Sequence, residues 1–259
     1  MSELVRLEVH GGIGTIRLDR PPVNALNEQI QRELAVIAKQ LSESDDVRAV
    51  IIYGGEKIFA GGADIKEMAA KTVAEMTSFG GALSASLSAL AAIPQPTVAA
   101  ITGYALGGGL ELALAADRRI AGSTVKLGQP EIQLGVIPGA GGTQRLTRLI
   151  GPSKAKELIY TGRLIDAEQA LAWGIVDEVV APEDVYEAAR RWAEQFVNGP
   201  ALALRAAKLA IDAGQDMDLA NGLKLETQLF ANLWASQDQA EGMRSFSENG
   251  PGKAKFVGR

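Results

Sequence analysis

The stretch Ile101-Thr102-Gly103-Tyr104-Ala105-Leu106-Gly107-Gly108-Gly109-Leu110-Glu111-Leu112-Ala113-Leu114-Ala115-Ala116-Asp117 sets three consecutive glycines and one acid inside an apolar run. Upstream, Pro94 and Pro96 exclude helix, so Thr97 to Ile101 reads as a buried strand that runs through Gly103 into the glycines. A helix follows from about Gly108 to Ala116. Its first-turn N–H groups have no partner within the helix, carry the positive end of the helix dipole, and are not obstructed by side chains. Glu111 lies between Leu110 and Leu112 with Leu114 one turn on, so no solvent-facing side can be drawn for it. A carboxylate in that setting loses hydration, and the cost must be offset or put to use.

Two further segments repeat this theme. Phe59-Ala60-Gly61-Gly62-Ala63-Asp64-Ile65-Lys66 has small residues ahead of a helix start, with Asp64 near its cap. Gln129-Pro130-Glu131-Ile132 offers a second acid beside apolar residues, just ahead of Pro138-Gly139-Ala140-Gly141-Gly142. Two such donor sites could together hold one carbonyl oxygen as it gains charge, and two acids in apolar settings suit proton transfer beside it. Each residue also has a bland reading: Glu131 could cap a helix after Pro130, and the glycines could serve tight packing. The glycine patterns do not match the dinucleotide motif, because Arg17 and Gln144 stand where a third glycine is needed, and no Gly-x-x-x-x-Gly-Lys-Ser/Thr phosphate loop is present.

Outward from these segments, Leu4 to Val9 and Ile13 to Leu18 alternate around Gly11-Gly12 as a strand pair. Asn27 opens a helix with Ile30, Leu34, Ile37, Ala38 and Leu41 on one face, and Val47 to Tyr53 reads as a buried strand. Strand-like pieces at Arg119 to Ala121 and Val125 to Leu127 precede the second acid. Helical patterns follow at Thr143 to Ile150, Ser153 to Tyr160 and Asp166 to Trp173, then a strand at Val176 to Val180. This alternation predicts an α/β class with largely parallel pairing. Beyond Pro182 the pattern is almost only helix, ending in a loop-like, basic stretch from Asn249 to Phe256. We therefore expect an α/β core with the active site over residues 1–196 and a C-terminal helical region over 197–259 serving oligomerisation.

Composition removes several classes of function. With 259 residues and 47% hydrophobic content, the chain can bury a sizeable core. A net charge of -5 argues against nucleic acid and anionic membranes as partners. There is no cysteine and one histidine, His10, so thiolate chemistry and multi-histidine metal sites are out. Acid/base work falls to Asp, Glu, Lys and Tyr. No apolar run is long enough to span a bilayer, and Met1-Ser2-Glu3-Leu4-Val5-Arg6 shows no targeting pattern, so a cytoplasmic protein is expected.

Together, Phe59 to Lys66, Gly103 to Gly109 with Glu111, and Gly128-Gln129-Pro130-Glu131 through Gly142-Thr143-Gln144-Arg145-Leu146 resemble the crotonase (enoyl-CoA hydratase/isomerase) superfamily. Arg20-Pro21-Pro22-Val23-Asn24-Ala25-Leu26 and Glu241-Gly242-Met243 extend the resemblance to both ends. It implies a spiral of ββα repeats with a C-terminal helical trimerisation region, and a homo-oligomer that is a trimer or a dimer of trimers. It further implies that the N–H groups of Ala63 and Gly108 form an oxyanion hole for a thioester oxygen. By the same likeness Ala63, Asp64, Ile65 and Lys66, with Gly108, line the substrate. Glu111 and Glu131 match the two hydratase acids, and retention of both selects hydration of trans-2-enoyl-CoA to 3-hydroxyacyl-CoA. No metal and no separate cofactor are expected, coenzyme A being part of the substrate. The alternatives are double-bond isomerisation on the same fold, or a non-catalytic RNA-binding or scaffolding homologue.

Overall fold

The computed structural model describes residues 3–259, so Met1 and Ser2 of the N-terminal reading lie outside it. In chain order the strands are β1 (Val5–His10), β2 (Ile13–Leu18), β3 (Ala49–Tyr53), β4 (Thr97–Ile101), β5 (Tyr104–Leu106), β6 (Arg118–Gly122), β7 (Lys126–Gly128), β8 (Ile165–Asp166) and β9 (Glu178–Val180). The helices are α1 (Glu28–Ser42), α2 (Ile65–Ala69), α3 (Val73–Ala91), α4 (Gly108–Ala113), α5 (Thr147–Ile150), α6 (Pro152–Thr161), α7 (Ala167–Trp173), α8 (Val185–Val197), α9 (Ala201–Gly214), α10 (Leu219–Asn232) and α11 (Gln237–Asn249).

A sheet ordered β1-β2-β3-β4-β6-β9 forms the main layer. Its first pair is an antiparallel hairpin with Val5 opposite Leu18, and the remaining pairs are parallel. Every residue of β3 and β4 is buried, as expected of parallel strands covered on both faces. On one face, Ile51, Val98, Ala100 and Ile120 meet Val185, Ala189 and Ala193 of α8. The opposite face, with Ile16, Val50, Ile52 and Ala99, belongs to the larger core that includes α1, α3 and α4. Each fully buried Ile or Leu there contributes about 1.5–3 kcal/mol.

Local signals set the helix ends. Asn27 Oδ1 accepts from the Ile30 N–H at 3.0 Å, which caps α1. Thr72 and Glu75 form a reciprocal capping box at the start of α3. The α1 face predicted to be apolar is buried, and it packs on Phe79, Leu83, Leu87 and Leu90 of α3.

Three departures from the sequence reading concern the site. The chain does not run straight from β4 into the glycines. Gly103, at φ +54°, turns it into a second, three-stranded sheet ordered β5-β7-β8, and a β-carbon there would overlap the Lys57 carbonyl oxygen. The helix α4 stops at Ala113 rather than Ala116. Beyond it Asp117 pairs with the start of β4, its Oδ2 accepting from Thr97 N–H at 2.7 Å and its own N–H donating to Thr97 Oγ1 at 2.9 Å. The helix predicted from Thr143 opens instead as a wide π-type turn over Gly142–Leu146 before α5.

Candidate active site

The loop after β3 is held by Asn24, whose Nδ2 donates to the carbonyls of Gly54 at 2.7 Å and Phe59 at 3.0 Å. Beyond Phe59 the chain lies alongside β5. Ala60 N–H donates to Tyr104 O and Leu106 N–H to Ala60 O, both at 3.1 Å, so Ala60 and Ala105 stand in parallel register. Gly109 must be glycine for this approach, since a β-carbon would overlap the Ala60 carbonyl.

Past that bridge the two segments bring Ala63 and Gly108 together. Leu26 bonds to Gly62 O at 2.8 Å and accepts from Asp64 N–H at 3.1 Å, which leaves the N–H of Ala63 between them turned away. Gly108 opens α4, where helix geometry provides no acceptor for its N–H. A β-carbon on Gly108 would lie 3.3 Å from the Ala63 nitrogen. Among the described residues neither N–H meets an acceptor. The arrangement is a pair of unsatisfied main-chain donors, side by side at a helix start.

Glu111, one turn into α4, is only 2% exposed. Its Oε1 accepts from the Ala140 and Gly142 N–H groups, both at 2.7 Å. Burial pushes its carboxyl above the usual range, while those two N–H groups and the Arg145 charge oppose the shift. Glu131 follows Pro130 at the start of a short 3-10 helix, Pro130–Leu134, and is partly buried. Burial raises its carboxyl to about 7, and the nearby charge of Glu111 adds to the rise. A carboxyl near 7 can both give and take a proton at neutral pH.

Gln129 completes the acid pair. It is fully buried, and in the amide orientation that satisfies both its polar atoms Nε2 donates to Glu131 Oε1 at 2.8 Å and Oε2 at 3.1 Å. A donor so placed favours the charged form of Glu131 and moderates the effect of burial.

Of the other predicted substrate residues, Ile65 and Lys66 expose their side chains at the start of α2 beside Ala63. Asp64 faces inward. Its Oδ1 accepts from the Lys66 and Glu67 N–H groups at 3.1 and 3.2 Å, and its Oδ2 pairs with Arg20 Nη2 at 2.6 Å. Burial alone would raise this carboxyl, but Arg20 and those N–H groups hold it below its ordinary value. His10 is exposed at the end of β1. Sequence reasoning did not single out Ala140, Gly142 or Arg145 as neighbours of Glu111, because the 29- and 31-residue separations of the two bonds leave no local signal.

Comparison with known proteins places this geometry. The profile described as enoyl-CoA hydratase/isomerase matches residues 8–258. A protein named probable enoyl-CoA hydratase EchA17, from Mycolicibacterium paratuberculosis, is 48% identical over 225 residues, which is 87% of this chain and 88% of that protein. The probable enoyl-CoA hydratase EchA8 of Mycobacterium bovis is 46% identical over 247 residues, 95% of each chain. A solved enoyl-CoA hydratase from Bacillus anthracis superposes with a TM-score of 0.93 at 39% identity, covering 99% of this chain and 100% of that one. Matched by profile over nearly its full length and superposing on a solved hydratase of the crotonase fold, the chain belongs to the enoyl-CoA hydratase/isomerase family.

Proposed function

We propose that the protein is an enoyl-CoA hydratase, adding water reversibly across the double bond of trans-2-enoyl-CoA to give 3-hydroxyacyl-CoA. The observation that carries this reading is the pairing of two acids, one with its carboxyl near 7, beside two unsatisfied main-chain donors. In the proposed role the N–H groups of Ala63 and Gly108 polarise the thioester oxygen. They stabilise the enolate-like charge that develops during addition, each donor lowering the barrier by about 3 kcal/mol. Glu111 positions a water and takes one of its protons as the oxygen bonds to the β-carbon. Glu131 delivers a proton to the α-carbon. Proton exchange between the two acids resets them for the next turnover, and the steps use neither a metal nor a redox group.

Asp64, Ile65 and Lys66 are proposed to border the coenzyme and acyl groups through the start of α2. Residues 197–259 are proposed as an assembly region giving a trimer or a dimer of trimers. The exposed Leu209, Ile211, Leu223, Phe230 and Trp234 on and just after α9 and α10 support that reading. No helix among the described residues is long and apolar enough to cross a membrane, and the likeness to bacterial hydratases supports a cytoplasmic location. The test is incubation with crotonyl-CoA followed by mass analysis. A product heavier by one water is expected, whereas a product of unchanged mass from a 3-enoyl thioester would instead establish isomerisation.

A further inference from the structure

Glu111 reaches only one anchor, and that anchor has a support of its own. The Ala140–Gly142 turn gives two N–H groups to Oε1, whereas Oε2 accepts from none of the described residues. The turn is a glycine-rich segment, buried at Ala140 and Gly142, with Gly141 at φ +124°, a conformation of little intrinsic rigidity. Arg145 braces it. Its Nη1 donates to the Ala140 carbonyl at 3.1 Å, on the same residue whose N–H holds Glu111. Its main-chain N–H donates to Gly141 O at 2.6 Å, and its guanidinium covers Gly141 so closely that a β-carbon there would overlap it.

The far side of Arg145 is not solvent alone. Nη2 donates to Ser88 Oγ of α3 at 3.3 Å, and the side chain borders a cavity of about 770 Å³ together with Ser84, Leu114 and Arg148. Arg145 therefore ties the Glu111 turn to α3. A guanidinium kept partly buried against a carbonyl, with no carboxylate bonded to it, has a cost that a purely structural surface arginine does not meet.

We propose that Arg145 is a positioning residue for Glu111: by clamping the Ala140 carbonyl it fixes the turn that grips Oε1, and so aims Oε2 at the reacting water. It does not touch substrate. The inference rests on the hydratase reading for its kinetic consequence, but not for its structural one. The charged groups acting on Glu111 are Arg145, from the turn after the glycines, and Glu131, from the short helix after Pro130. Removing Arg145 leaves only the Ala140 and Gly142 N–H groups to hold the charged form of Glu111 against burial.

The test compares wild type, Arg145→Met, Arg145→Lys and Glu111→Gln. Infrared difference spectra over a pH titration identify the Glu111 carboxyl as the band missing from Glu111→Gln. In Arg145→Met its midpoint should move up from the wild-type position, as follows from losing a nearby opposite charge. Arg145→Lys should return most of that shift. Hydration of crotonyl-CoA by Arg145→Met should show kcat reduced about 10- to 100-fold, with KM within about threefold, the signature of a misaimed group. In the Glu111→Gln background the same change should cost no further activity, because the residue it serves is gone. A folded Arg145→Met with an unmoved band and wild-type kcat overturns the proposal. So does an equal fractional loss with and without Glu111. A wild-type enzyme that fails to hydrate sinks the hydratase reading, and the infrared midpoints still decide whether Arg145 governs Glu111.

Discussion

A β-carbon on Gly107 would lie 3.0 Å from Oε1 of Glu131. Gly107 also sits at φ +51° and ψ -125°, a region that side-chain-bearing residues avoid. The bare residue thus admits the acid to the mouth of α4 and turns the chain so that Gly108 lies beside Ala63. Gly107→Ala should displace the Glu131 carboxylate and lower kcat for crotonyl-CoA about 100-fold. Backbone strain of about 1–3 kcal/mol should appear beside it in urea unfolding. Steady-state kinetics read the first effect, and an unchanged kcat would show that the approach of Glu131 to Gly107 is dispensable.

Glu111→Gln and Glu131→Gln each preserve shape and remove a carboxyl proposed to carry a proton. Both should lose hydration by about 10²–10⁴-fold while keeping the far-ultraviolet spectrum of the parent. Full activity in either variant removes that residue from the mechanism.

Glu131 also couples stability to pH. Its folded-state value near 7 exceeds the ordinary 4.5. Between those values the folded chain keeps a proton that the unfolded chain has released. The contribution is therefore complete below pH 4.5 and is lost as pH rises through about 7. Glu131→Gln is neutral throughout, so it should gain on wild type as pH rises. The gain should reach roughly 1–2 kcal/mol above pH 8 once screening of a partly exposed group is allowed for. Denaturant titrations of both proteins at about pH 4.5 and pH 8.5 measure the difference, and a constant gap would place the Glu131 carboxyl in the ordinary range.

Gln31 is a predicted weak point between α1 and α3. It is 2% exposed, and among the described residues neither its Nε2 nor its Oε1 has a hydrogen-bond partner. Burying an unsatisfied amide costs about 1–3 kcal/mol, so Gln31→Leu should raise the denaturation midpoint with no change in kcat. A lower midpoint would mean that the amide is satisfied in solution.

The acid at Glu111 was readable because leucines flank it on both sides along a helix, which leaves no wet face for the charge. The strands β3 and β4 were readable for the same reason, as β-branched and small apolar runs too short to be helices. The donor loops could be recognised from glycines beside helix starts. What could not be read was the meeting of segments far apart in the chain. Gln129 reaching Glu131 looks like an ordinary near-neighbour pair until burial gives the amide no other partner. Arg145 reads as one of many exposed cations, and only the fold sets its guanidinium on the Ala140 carbonyl. The turn at Gly103 into a second sheet was hidden because a single glycine serves equally well inside a straight run.

The donors at Ala63 and Gly108 belong to the peptide bond rather than to any side chain. Every residue except proline supplies such an N–H, so most codon changes leave the donors in place, whereas most changes at either glutamate remove its carboxyl. In lineages built on this frame, the proposed grip on a thioester should therefore persist while the proton chemistry drifts. A variant stripped of both acids should still bind an acyl-CoA, ready to acquire a different reaction.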